Sequence, residues 1–219
     1  MTTNEIIKDI KAQFRLFMNG AVSQSMREKG IDYKLNFGIE LPRLREISAG
    51  YGKNHSLAQA LWKENIRECK ILATMIQPVE TFLPEIADIW IEDIRHQEIA
   101  ELAVMNLFQH LPYASSKAFC WMADERDFFQ VCGYLIMARF FMRGIQLGER
   151  AEDEFMDQAV SALAEYPSSQ RPAHAALTAL MAYRRMGREQ AKRVSKSVQS
   201  LHGGSNETLS LMIDRLIEE

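Results

Sequence analysis

Four apolar segments of similar make-up recur along the chain, and they limit what it can fold into. They are IRECKILATMI (66–76), IAELAVMNLFQHL (99–111), FFQVCGYLIMARFF (128–141) and RPAHAALTALMAYRRMG (171–187), and their starts lie 33, 29 and 43 residues apart. Each places apolar residues at helical spacing and follows a more polar helical stretch. A helix with so broad an apolar face must bury it, and repeated polar–apolar pairs do so by stacking on one another. The uneven spacing makes this a degenerate solenoid; a compact helical bundle is the alternative. The expected fold is all-α, an α-solenoid of stacked helical pairs with about 12 to 13 helices in a single domain, 1–219.

The pattern between these segments is also helical. Ile6, Ile7, Ile10, Phe14 and Phe17 predict a helix over 3–19 ended by Gly20, with a second over 21–29 stopped by Gly30. Pro42 opens a helix to about Ala49, before a Gly50–Tyr51–Gly52 break. Ser56 is expected to cap a helix through Trp62, and Asn65 one through Ile76. Further helices are expected over 80–93, 97–110, 114–122, 128–143, 151–166, 172–186, 188–201 and 207–217, with Gly203–Gly204 separating the last. No segment alternates at period two. Gly (11) and Pro (6) are scarce and Met (12) is plentiful, which disfavours a turn-rich β fold.

Composition removes other classes. At 47% hydrophobic the chain can repay its ordering entropy, so disorder is excluded. The most apolar window, Phe128 to Met142, is short of the ~20 apolar residues of a spanning helix and contains Gln130 and Arg139. The N-terminus lacks a basic n-region and an apolar h-region, so no secretory signal is read there. Cys69, Cys120 and Cys132 are too scattered for a disulfide framework or a zinc cluster and read as buried reduced thiols of a cytoplasmic protein. His55, His96, His110, His174 and His202 show no metal-ligand spacing. There is no GxGxxG, Walker loop, HExxH or GxSxG. No metal or cofactor is expected.

The net charge of −3, from 26 basic and 29 acidic residues, hides two clusters. Residues 80–101 hold seven acids and one base, Arg95. Glu98 and Glu101 lie three apart and share a helix face, an arrangement suited to acid–base work or to stabilising a cation, and equally to a solvated surface. Residues 184–196 hold six bases and one acid, Glu189. Arg185, Arg188, Lys192 and Lys196 fall on one helical stripe, provided the helix is unbroken at Gly187. With Arg193 they form a candidate phosphate-binding face; an ordinary polar helix exterior is the plain alternative.

One stretch carries more than composition. FGIELPRLREIS (37–48) sets Gly38, Pro42, Leu44 and Arg45 in a GxxxPxLR arrangement, followed by LAQALWKENIRECKILATMI (57–76) with Leu61, Trp62, Glu68, Leu72 and Ala73. This resembles the N-terminal signature of the AlkD-like DNA alkylation repair family, whose members are HEAT-like superhelices. The residues support such a scaffold: Gly38 permits a tight loop, Pro42 starts a helix, and the large apolar residues supply core contacts. Arg45 and Glu68 either pair, tying neighbouring helices, or both face solvent.

The resemblance implies a DNA-repair protein that holds duplex DNA on a basic concave surface, with excision of positively charged alkylated bases in its glycosylase members. Their lesion cleft uses aromatic rings, a carboxylate near the scissile bond and an arginine toward the backbone. Here the carboxylate corresponds to Glu101 or Glu98. The preceding aromatic position falls on Gln97 or Ile94, with Trp90 a turn or more away. The arginine position reads Val131, near Arg126 and Arg139. The later aromatic should lie in PAHAALTAL, where His174 is the sole ring. The scaffold therefore matches while the lesion-binding set is largely absent. The expectation is a divergent member that contacts DNA through Arg185, Arg188, Lys192, Arg193 and Lys196, and that, if catalytic, is an N-glycosylase using Glu101 or Glu98. The alternative is a non-enzymatic helical-repeat scaffold that binds a protein or peptide partner.

Overall fold

A computed structural model describes residues 2–201 and 206–217; His202 and Gly203–Gly204 lie outside them. The described residues form thirteen α-helices and no strand. They are α1 (Thr3–Leu16), α2 (Gly20–Glu28), α3 (Leu41–Tyr51), α4 (His55–Trp62), α5 (Arg67–Ile76), α6 (Pro84–Glu92), α7 (Gln97–Asn106), α8 (Ala114–Met122), α9 (Asp127–Met142), α10 (Glu149–Ala164), α11 (Gln170–Arg184), α12 (Arg188–Val198) and α13 (Glu207–Ile217). Short 3-10 turns follow α5, α7 and α12. The chain divides into two compact units, Met1–Leu111 and Pro112–Glu219.

Local chemistry sets the helix ends. Thr2 and Glu5 form a reciprocal capping box at the start of α1. Asn19 caps α2, so Gly20 opens that helix instead of closing the first. Asn54 takes the capping role expected of Ser56, accepting from the Leu57 N–H at 3.0 Å. Asn65 does not cap α5; the N-cap residue is Ile66, which has no side chain to offer. The α8 and α13 boundaries coincide with those expected from periodicity.

In the first unit, α4 packs on α5 and α5 on both α3 and α7. Trp62 and Trp90 stack face to face at 4.1 Å, fixing α4 against α6. The loop between α2 and α3 is held from below by Glu68, which is fully buried. Its carboxylate accepts from the Phe37 N–H (3.1 and 3.2 Å) and the Ile39 N–H (3.3 Å). Between those two donors, Gly38 adopts φ +70°, and a Cβ there would lie 2.2 Å from the Asn19 carbonyl oxygen. The GxxxP signature is thus an architectural lock. Arg45 has no part in it: Arg45 is exposed, and Glu68 is neither paired to Arg45 nor solvated.

In the second unit, α9 is apolar nearly all round and sits between α8 and α11. Gly133 lets the α9 backbone reach α8, where a Cβ would lie 2.7 Å from the Ala118 carbonyl oxygen. Phe141, Phe155 and Tyr183 form one ring cluster joining α9, α10 and α11. The amphipathic α12 and α13 close the unit through Val194, Val198, Met212, Ile213 and Leu216.

Candidate nucleic-acid interface

Arg67 and Glu68, adjacent at the first turn of α5, are both buried, which requires partners for their charges. Arg67 Nη1 donates to the Ile39 carbonyl (3.0 Å) and to Glu68 (3.1 Å). Its Nε and Nη2 donate to Glu98 of α7 at 2.8 and 2.5 Å, a two-pronged pairing of guanidinium and carboxylate. The Tyr33 hydroxyl donates to the same Glu98 carboxylate at 2.8 Å. Burial alone would raise the Glu98 carboxyl; the Arg67 hydrogen bonds and charge, with the Tyr33 hydroxyl, outweigh it and hold Glu98 below the usual glutamate range. Burial, reinforced by the Glu98 charge, pushes the Tyr33 phenol up.

The two candidate carboxylates therefore part company. Glu98 is committed to Arg67 and Tyr33. Glu101 is exposed and accepts from Gln97 Nε2 at 3.1 Å. Most of the remaining acidic segment is solvated: Glu80, Glu85, Glu92 and Asp93 are exposed.

Beside the Arg67–Glu98 pair lies a cavity of about 260 Å³. Tyr33 and His96 form part of its wall, with ring centroids 3.9 Å apart, and Lys63, Arg67, Lys70 and Arg95 bring cationic groups to it. Composition concealed this group, because its members are spread over 33–96 and the last two sit inside the acidic run. Lys63–Asn65 and Arg95–His96 each occupy a connection between two helices, which is the only sequence signal that unites them.

The other expected cleft positions are structural. Trp90 is buried in its stack with Trp62. Val131 is fully buried. Arg126 lies over the Phe129 ring at 3.6 Å and pairs with Asp124. His174 is exposed and meets Tyr166 edge-on.

The basic C-terminal run is divided by the fold. The helix is broken at Gly187, so Arg185 is the C-cap residue of α11 and does not continue the α12 stripe. Arg188, Lys192 and Lys196 do share one exposed stripe of α12, and Lys192 pairs with Glu189, itself exposed, at 3.2 Å. Arg193 points elsewhere: it pairs with Glu152 at 3.1 Å and with Asp153, both on α10. A wide depression of about 650 Å³ lined by Lys192, Arg193 and Lys196 also contains those two acids.

Among the described residues no group of three or more His, Cys, Asp or Glu side chains is placed to hold a metal ion. Cys69 and Cys132 are buried, but Cys120 is exposed, against the expectation of three buried thiols. No described helix is long and apolar enough to cross a membrane.

The family described as "DNA alkylation repair enzyme" matches over residues 10–171. A search of curated proteins finds no match. A solved structure described as "a new family of proteins related to the HEAT-like repeat DNA glycosylases with affinity for branched DNA structures" superposes with a TM-score of 0.78 at 13% identity, over 95% of this chain and 92% of that one. The stacked helix pairs are thus HEAT-like repeats, and the chain belongs to the DNA alkylation repair enzyme family.

Proposed function

We propose that this protein is a DNA-repair protein that binds DNA through backbone phosphates, with branched DNA its preferred form, and that it does not excise bases. The exposed stripe of Arg188, Lys192 and Lys196 on α12 carries the reading, because three cations at one-turn intervals offer charge without base-specific chemistry. The family supports a DNA partner, and the affinity of the structurally similar protein for branched DNA supports the preferred form.

The case against excision rests on the carboxylates. An excising site needs one free to face developing positive charge on the sugar. Both Glu98 oxygens are already engaged by Arg67, and Tyr33 adds a third donor. Glu101 is exposed, with no aromatic ring at the neighbouring positions Gln97 and Ile94.

The test is a binding titration of the protein with duplex and with three-way-junction DNA at several salt concentrations, beside a base-release assay on alkylated DNA. Tighter, strongly salt-dependent junction binding without base release is expected. Salt-independent binding, or none, overturns the DNA reading. Release abolished by Glu98→Gln or Glu101→Gln overturns the claim that excision is absent.

A further inference from the structure

The cavity between the α4–α5 and α6–α7 connections is not accounted for by a backbone-binding stripe on α12. Its cationic groups exceed their counter-charges. Lys63 is exposed and makes no ion pair among the described residues. Arg95 donates to the Glu92 and Ile94 carbonyls and makes no ion pair among the described residues. Lys70 donates to the Trp62 carbonyl and stands 3.8 Å from Asp93, the one acid on the cavity wall. Arg67 is more than balanced from behind by Glu68 and Glu98. On the cavity side three cations face one carboxylate, and counted with Arg67 and its two partners the cluster carries an excess of one positive charge.

Three further features suit an oxyanion attached to a flat organic group. Helices α5 and α7 both begin at this cavity, at Ile66 and His96, without a side-chain cap. The Arg67 N–H is taken by the Leu35 carbonyl, but the dipoles of both helix starts still favour negative charge. The His96 ring nitrogens make no hydrogen bond among the described residues, so either is available to a ligand. The Tyr33–His96 wall offers an aromatic surface to whatever is attached to the anion. The volume of about 260 Å³ falls just short of the ~300 Å³ at which sites for drug-sized ligands begin, enough for a phosphate and its sugar.

We propose that this cavity holds the terminal phosphate of a DNA strand, with Lys63, Lys70 and Arg95 supplying the charge and the Tyr33–His96 wall packing against the end nucleotide. A terminal phosphate offers three non-bridging oxygens to the three cations of the cavity wall and ends the strand there, whereas an internal phosphodiester offers two and must continue in both directions. This inference rests on the DNA-binding reading above and adds strand ends to what the protein recognises.

The experiment compares a three-way junction with every strand end phosphorylated against the same junction with hydroxyl ends, at constant ionic strength. The phosphorylated junction is expected to bind about tenfold tighter. In Lys63→Ala/Arg95→Ala the ratio between the two junctions should fall to near one, and Lys63→Glu, at an exposed position, guards against a folding defect in the double variant. In Arg188→Ala/Lys192→Ala/Lys196→Ala both affinities should fall while their ratio persists. Inorganic phosphate should erode the ratio by competing for the cavity. Equal affinity for the two junctions, or a ratio unmoved by the Lys63 variants, overturns the proposal while leaving DNA binding intact. Calorimetric binding of inorganic phosphate or a nucleoside monophosphate with no preference between junctions also overturns it, since the cavity would then serve a free small molecule. Binding to neither junction overturns both readings.

Discussion

Arg67 and Glu98, 31 positions apart in sequence, meet in a two-pronged ion pair that joins the first turns of α5 and α7. The same guanidinium reaches Glu68 and, through the Ile39 carbonyl, the loop before α3. Removing it leaves one fully buried and one largely buried carboxylate without their counter-ion. Arg67→Ala should destabilise the protein by about 3–5 kcal/mol, measured by urea unfolding. A loss below about 1 kcal/mol would mean that water replaces the guanidinium without penalty.

The pair also sets a pH dependence. Glu98 titrates below its ordinary range in the folded chain, because Arg67 and Tyr33 outweigh the effect of burial. Its unfolded value is near ~4.3. A depressed folded value means that the unfolded chain binds the proton first, so the stabilisation is complete above that pH and drains away as the pH falls through the lower, folded value. Thermal unfolding between neutral pH and about pH 3 should show a steep acid limb that is shallower in Glu98→Gln.

Gly38 lies where the loop crosses the Asn19 carbonyl with positive φ. Gly38→Ala meets both a strained backbone and a backbone clash, and should cost about 2–4 kcal/mol. Gly30, also at positive φ but with open space around its Cβ position, is the control. Gly30→Ala should cost about 1 kcal/mol, the strain alone. Equal losses at the two positions would show that the contact with Asn19 relaxes freely.

The cations of the C-terminal run should separate by experiment. Replacing Arg188, Lys192 and Lys196 by alanine should reduce the slope of log affinity against log salt by about 2–3 and leave the melting temperature nearly unchanged. Arg193→Ala should do the reverse, lowering thermal stability with a small effect on the slope, because Arg193 holds α12 to Glu152 and Asp153 of α10.

Thiol labelling checks the packing. Cys120 is exposed, whereas burial pushes the Cys69 thiol up to about 12 and the Cys132 thiol up as well. In native conditions one thiol per chain should react quickly with an aromatic disulfide reagent, and three in denaturant. Rapid native labelling of Cys132 would contradict the close contact of α9 with α8.

What could be read before folding follows from the range of each interaction. Helical periodicity is local, and it located every helix, two of them to the residue. The GxxxP loop was legible because its reason is local too: a glycine with positive φ and a proline in the first helical turn. Caps were less legible, since Asn54 and Ser56 both qualify by type and only the backbone path decides between them. The site was least legible. Glu68 suggested a partner, but its partners are two backbone N–H groups and its own neighbour Arg67, not Arg45. Arg193 read as part of a phosphate-binding face because Glu152 and Asp153 stand some 40 residues upstream. Arg95 was masked by the acidic residues around it, and charge counted along a chain does not report what a helix connection gathers in space.

The break at Gly187 turns the α12 stripe into a short straight ruler. From Arg188 to Lys196 the helix rises about 12 Å, close to the width of the B-DNA major groove. On the proposed DNA-binding reading, a rod of that length would span from one strand to the other across a single groove and need no regular duplex beyond it, so its grip would survive where the helix axis of the DNA ends, bends or forks.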